Sequence, residues 1–191
     1  MGHLVQALTL DAHGNESRRP RRRYRRNVRA AADTDSDALR SINALWINGL
    51  ATVAGLLERL GQVASRVRAI ESQARGSFPD SFLLDGRCRD VVGDPQLRPN
   101  QLLAVSLPNA PLRERSVVES CAPLLTSIGL RSLSRDDPAY IGRHQGSPAE
   151  RDRAYHQGTV WPWLIGPYVE AALRTDVPVD GLLDGLEAHL Q

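Results

Sequence analysis

The feature that most constrains this chain is a helical period sustained from residue 39 to residue 60. Leu39, Ile42, Leu45, Trp46, Leu50, Val53, Leu56, Leu57 and Leu60 recur at three- and four-residue intervals, which gathers them on one side of an α-helix. Asp37 is placed to cap the start, and Gly61 marks the stop. A second helix is predicted over residues 62–75, with Val63, Val67, Ile70 and Ala74 facing inward. Two helices joined at one glycine form an antiparallel hairpin, so the fold is expected to be helix packed on helix.

With 191 residues, of which 41% are hydrophobic, the chain can hold one domain with a sizeable core. No apolar run approaches the 18 or so residues of a membrane span, and the opening MGHLVQALTL is too polar for a secretory leader. Cys88 and Cys121 lack any CxxC spacing, so free buried thiols are expected, which fits a cytoplasmic protein. The five histidines have no ligand spacing, and neither a phosphate-binding glycine loop nor a serine nucleophile elbow is present; no metal or cofactor is expected.

All 24 basic residues are arginine, and eight of them fall within residues 18–29, RRPRRRYRRNVR, with no acid among them. The rest of the chain is net acidic. Such a run can grip nucleic-acid phosphates, with Tyr24 stacking on a base, but the preferred reading is that residues 1–37 form a disordered tail ahead of a domain at 38–191.

Further along, residues 76–99 carry PD, DG and GDP turns with short apolar pieces at Phe82 to Leu84 and at Val91 and Val92, and read as a loop or small hairpin. Pro99 opens a helical stretch that ends at Pro108. Residues 112–125 form an amphipathic helix with Val117, Val118, Cys121, Leu124 and Leu125 inward, bent or shortened by Pro123. Residues 129–154 lack a hydrophobic period and are dense in Ser, Asp, Pro, Arg and Gly, the composition of a long functional loop. A short terminal helix is expected over residues 179–190.

Between them lies YHQGTVWPWLIGPYVEAALR, residues 155–174, with two of the three tryptophans. Thr159 is expected to cap a helix whose first turn holds Pro162, and residues 163–173 are apolar enough to be enclosed on most sides. Pro167 requires either a kink or a helix that starts near Gly166, and Glu170 should pair with Arg174. His156, Gln157, Trp161 and Trp163 together suit a sugar, because indole faces cover pyranose rings while imidazole and amide bond hydroxyls. A core role for both tryptophans is the competing reading.

Four blocks in this order carry a family resemblance: Ile42-Asn43-Ala44-Leu45-Trp46; Leu97-Arg98-Pro99-Asn100-Gln101 with Ser106-Leu107-Pro108; Gly129 to Ser134 with Asp136-Asp137-Pro138; and Tyr155-His156-Gln157-Gly158-Thr159-Val160-Trp161-Pro162-Trp163. Together they resemble the C-terminal part of bacterial amylo-alpha-1,6-glucosidases, the glucosidase part of glycogen debranching enzymes. The resemblance implies an all-α fold, the C-terminal portion of an (α/α)6 toroid of the six-hairpin glycosidase type, here truncated. It implies hydrolysis of α-1,6-linked glucose at glycogen branch points, with inversion, and therefore two carboxyl groups roughly 6.5–9.5 Å apart.

On this resemblance the substrate-binding residues are Asn43, Trp46, Arg98, Asn100, Gln101, Asp136, Asp137, Tyr155, His156, Gln157, Gly158, Trp161 and Trp163. The family's general acid lies in a threonine, tryptophan, methionine, aspartate string upstream of the first block, which this chain lacks; Ser41 stands where relatives carry glutamate, and Val160 where fungal and animal relatives carry a catalytic one. Glu150 and Asp152 are the candidates for the base, against a plain role as solvated loop charges. The expected partners are glycogen or another branched α-glucan, and a protein supplying the missing N-terminal half of the barrel. Inner helices of a half-barrel would otherwise stand exposed.

Overall fold

In the computed structural model, residues 38–89 and 96–191 are described. The arginine run, Tyr24, the Asp37 cap and the Val91–Val92 piece lie outside them. The expected hairpin is present: helix α1, Ala38–Arg59, turns at Gly61, which adopts a φ of 68° that a side chain would resist, and α2 follows over Ser65–Phe82. The second helix runs seven residues past the expected end. Pro79 sits inside it, and the apolar Phe78 and Phe82 behind and ahead of that proline pack their rings 4.9 Å apart, which holds the last turn on the core.

The face that α1 buries is not the one its large residues define. Ala44, Ile47, Leu50, Ala51 and Ala54 are buried, with the Arg40 side chain, while Ile42, Leu45, Trp46, Val53, Leu56 and Leu60 are exposed on the opposite side. Alanines let α2 and the short helix at Leu103–Ser106 approach α1 closely, so contact area comes from backbone proximity rather than from bulk. The expectation for α2 holds in part, since Ala74 packs half-buried against the core. Val63 precedes the helix and is exposed, Ile70 is at the surface, and the buried positions are Phe78 and Glu71, whose carboxylate meets Arg75 at 2.6 Å.

The DG signal forms a two-stranded hairpin, β1 Leu83–Leu84 and β2 Arg87–Cys88, turning through Asp85 and Gly86, both at positive φ. Next, a 3-10 turn over Pro99–Leu102 runs into α3, Leu103–Ser106, which packs between α1 and the helix Ile165–Arg174. Pro123 does shorten the following helix: α4 spans only Arg115–Ser120 and gives way to a 3-10 turn at Ala122–Leu124. Its expected apolar side is the buried one, with Val117, Val118, Cys121 and Leu124 in the core.

The stretch from 129 to 154 contains more order than its composition announces. Gly129–Arg131 forms β4, the middle strand of a small antiparallel sheet between β3, Leu125–Thr126, and β5, Val160–Trp161. Leu130 lies opposite both Leu125 and Trp161. A side chain at Gly129 would come within 2.6 Å of the Trp161 carbonyl oxygen, so glycine sets how closely the central strand approaches β5. Helix α5, Pro148–Tyr155, begins in a capping box: Ser147 Oγ accepts from the Glu150 N–H, and the Glu150 carboxylate accepts from the Ser147 N–H.

After β5 a 3-10 turn, Pro162–Leu164, leads into α6, Ile165–Arg174. Pro167 thus falls in the first turn, where its missing N–H leaves no bond unmade. Thr159 does not cap α6; its hydroxyl donates 2.9 Å to the Ala154 carbonyl at the end of α5. Nor is α6 enclosed on most sides. Ile165, Tyr168, Ala171 and Ala172 are buried, but Leu173 is exposed, and Glu170 pairs with Arg174 at 2.7 Å as expected. The terminal helix α7 is shorter than expected, Asp184–Leu190, with Leu182 and Leu186 half-packed on the core.

Both cysteines are free and buried. Burial pushes the Cys88 thiol up to about 11 and the Cys121 thiol up to about 12, despite the opposing pull of the Arg40 guanidinium. Among the described residues no helix is long and apolar enough to cross a membrane, and no group of three or more His, Cys, Asp or Glu side chains could hold a metal ion.

Candidate functional site

Residues 155–159, from the last residue of α5 to the one before β5, form a turn that exposes its rings and hides its backbone. Tyr155 and His156 leave α5 with their ring centroids 4.8 Å apart, edge to face; Trp161 stands 5.4 Å from Tyr155 and 5.2 Å from His156. Trp163, one residue into the next turn but one, stacks on Trp161 at 6.1 Å and 24°. These contacts join four rings into one surface, which His144 extends to 6.0 Å beyond Tyr155. Tyr155 is 48% exposed and Trp163 58%. Trp161 is half-buried, and its indole Nε1–H is buried with no acceptor among the described residues.

Beneath the rings, polar side chains from two other segments bind the turn's backbone. Arg98, buried just before the Pro99 turn, donates from Nη1 to the His156 carbonyl at 2.5 Å and to the Ser132 carbonyl at 3.3 Å. Its Nη2 reaches the Gln157 Oε1 at 3.3 Å and the Gln96 Oε1 at 2.7 Å. Ser132, the residue after β4, accepts from Gly158 N at 2.9 Å, donates from Oγ to the Tyr155 carbonyl at 3.4 Å, and bonds Thr159 O through its own N–H at 2.9 Å. Ile141 N closes the other flank on Gln157 O. Gly158 has a φ of 130°, and a side chain there would collide with the Tyr140 ring. A backbone turn held at nearly every polar atom moves little, so the rings above it are pre-positioned.

The other predicted residues divide into those that reach this surface and those that do not. Gln101 is buried, and its amide bonds Cys88 N, Arg98 O and Ser120 Oγ, which ties the β-hairpin to the Pro99 turn. Inward bonding of that kind leaves no amide edge to offer a ligand, so its place is structural. Arg98 likewise faces the protein. Asn100 is half-buried in the first turn after Pro99, Asn43 is half-buried on α1, and Trp46 is exposed on the same helix. Asp137 Oδ1 accepts from Ala139 N in a tight turn at 2.8 Å, with exposed Asp136 beside it.

Glu150 and Asp152 are both exposed on α5. The Glu150 Oε2 accepts from Ser147 Oγ and Ser147 N, each at 2.7 Å, and these bonds hold its carboxyl below the usual range. A carboxylate so stabilised is a weaker base than a free one, and its visible task is to begin a helix. Two participants escaped the reading of the sequence. Ser132 lay inside a matched block but has no chemistry of its own to announce it, and His144 sits in a stretch with no periodicity to orient it.

A family model described as amylo-alpha-1,6-glucosidase matches residues 36–191. No curated protein and no solved structure matches the chain.

Proposed function

This chain belongs to the amylo-alpha-1,6-glucosidase family, and from that premise we propose that it carries part of the glucan site of a debranching glucosidase, acting on α-1,6-linked glucose at glycogen branch points. The observation that carries the reading is the aromatic surface of Tyr155, His156, Trp161 and Trp163, exposed above a backbone turn held by Arg98 and Ser132. Rings rarely stand at a protein surface on a turn so thoroughly bonded unless their position matters. The buried Trp161 Nε1–H, with no acceptor among the described residues, is a donor that a sugar hydroxyl reaching it would satisfy. His156 and the Gln157 amide add hydroxyl contacts, and Asn43, Asn100, Asp136 and Asp137 complete the proposed substrate set, while Trp46 belongs to the exposed stripe on α1. Arg98, Gln101 and Gly158 shape the site through the backbone.

The proposed architecture is the C-terminal portion of an (α/α)6 toroid, with residues 38–191 as the domain. The exposed stripe on α1 supports it. Ile42, Trp46, Gly49, Val53, Leu56 and Leu60 alternate four- and three-residue steps, the spacing at which one helix seats another. Further helices of the toroid would cover this stripe and supply the general acid. Glu150 and Asp152 are the candidates for the base, with Asp152 the one not engaged in the capping box.

Titration of the chain with glycogen, followed by tryptophan fluorescence, tests the reading. We expect saturable binding that Trp163→Ala weakens about tenfold, the loss of one stacking ring, and no glucose release from a phosphorylase-trimmed limit dextrin by the chain alone. Glycogen binding indifferent to both Trp163→Ala and Trp161→Ala would overturn the site. Glucose release abolished by Asp152→Asn would overturn the view that the acid comes from elsewhere.

A further inference from the structure

At the opposite end of α6 from the aromatic surface, a second concavity has a different chemistry. Three guanidinium groups line a pocket of about 230 Å³: Arg75 from α2, Arg113 from the segment before α4, and Arg174 from the last turn of α6. The loop Pro108-Asn109-Ala110 forms another wall. About ten residues of helix, on the order of 15 Å, separate Arg174 from the tryptophans.

One of the three arginines is locked in place. Arg75 donates from Nε to Glu71 Oε1 at 2.6 Å, from Nη1 to the Ala110 carbonyl at 2.6 Å and from Nη2 to the Asn109 carbonyl at 2.9 Å. Those bonds use three of its five N–H groups and fix the plane of the other two. Among the described residues Arg174 spends only Nε, on Glu170. Arg113 makes no hydrogen bond or ion pair among the described residues and is exposed. Among the described residues, Glu71 and Glu170 pair with two of the three guanidinium groups, and Arg113 makes no ion pair. Guanidinium forks match the oxygens of phosphate, and a fixed fork loses less freedom on binding than a mobile one.

From this arrangement we infer that the pocket binds a small phosphate monoester. The volume, that of about eight water molecules, leaves room for more than a phosphate group alone. The pocket's lining is almost wholly polar, and the Asn109 side-chain oxygen accepts no bond among the described residues, so a hydroxyl on the organic part of a monoester finds a partner there. The inference is independent of the glucan reading, since it rests on no residue of the aromatic surface.

The test is calorimetric titration of the full chain with glucose 1-phosphate, inorganic phosphate and glucose at low ionic strength. Glucose 1-phosphate is expected to bind saturably and more tightly than inorganic phosphate, with glucose silent here. Arg113→Ala, an exposed position with no structural bond to lose, should weaken binding about tenfold, Arg113→Lys less, and added salt should weaken it further. Trp163→Ala should leave it unchanged, which separates this pocket from any sugar binding at the aromatic surface. Equal affinity for inorganic phosphate and the monoester overturns the assignment of an organic body. Absence of saturable binding, or binding unaffected by both Arg113→Ala and Arg174→Gln, overturns the site.

Discussion

The hairpin of α1 and α2 and the turn at residues 155–159 are held by opposite means. The hairpin rests on packing: small apolar side chains bring helices together, and few polar groups cross between them apart from the Arg68–Glu58 pair at 2.8 Å on its surface. The turn rests on hydrogen bonds from side chains far off in sequence, Arg98 and Ser132, to backbone atoms that no regular ladder serves. Packing tolerates displacement along a helix, whereas a turn held atom by atom does not. The rings that must keep their places are on the second kind of support.

Substitutions that strike each support test this contrast. The largest effect is expected at Ile47, buried in α1: Ile47→Ala should cost about 3 kcal/mol of stability in urea unfolding, by lost burial and the cavity left behind. A loss below about 1 kcal/mol would mean that the alanine face does not carry the hairpin. Arg98→Met comes next, with about 2 kcal/mol expected from stranding the His156 and Ser132 carbonyls. Its particular mark is a broadened environment for the tryptophans, seen as lost near-UV circular dichroism while helix content stays. An unchanged tryptophan signal would mean that the turn holds its shape without the arginine. Smallest is Leu56→Gln on the exposed stripe, which should shift stability by no more than about 0.5 kcal/mol and raise solubility. A loss like that of Ile47→Ala would show that the stripe is covered within this chain.

Ile42 and Ile47 also show what the sequence could convey. Periodicity announced α1 and its stop at Gly61 because any helix with a sided composition repeats, whatever covers each side. It did not say which side this chain covers, because large apolar residues mark a contact surface without naming the occupant, and alanines mark none. The helices of the core, α3 and α4, were legible through Val117, Val118 and their neighbours because those residues pack only within the chain. Order in residues 129–154 was not legible: β4 is three residues long, and α5 has almost no apolar face, so its start depends on Ser147 and Glu150 rather than on a hydrophobic period.

At the candidate site, Tyr155, His156, Trp161 and Trp163 were read as a group from residue type and order, and their rings stand together in the structure. Arg98 and Gln101 came from the same motif, but a motif cannot distinguish a residue that touches a ligand from one that holds the residue which does. Only the directions of their hydrogen bonds make that distinction.

The two cysteines give the molecule an internal clock. Cys88 lies beside the hairpin after α2 and Cys121 at the end of α4; both are nearly inaccessible, and both resist ionisation in the folded state. A thiol reagent therefore meets them only when their surroundings part, so the labelling rate of each counts openings of its own neighbourhood. Both thiols lie in one core cluster within reach of Arg40, so two rates from a single sample would report whether the β1–β2 hairpin and the end of α4 open together or each on its own schedule.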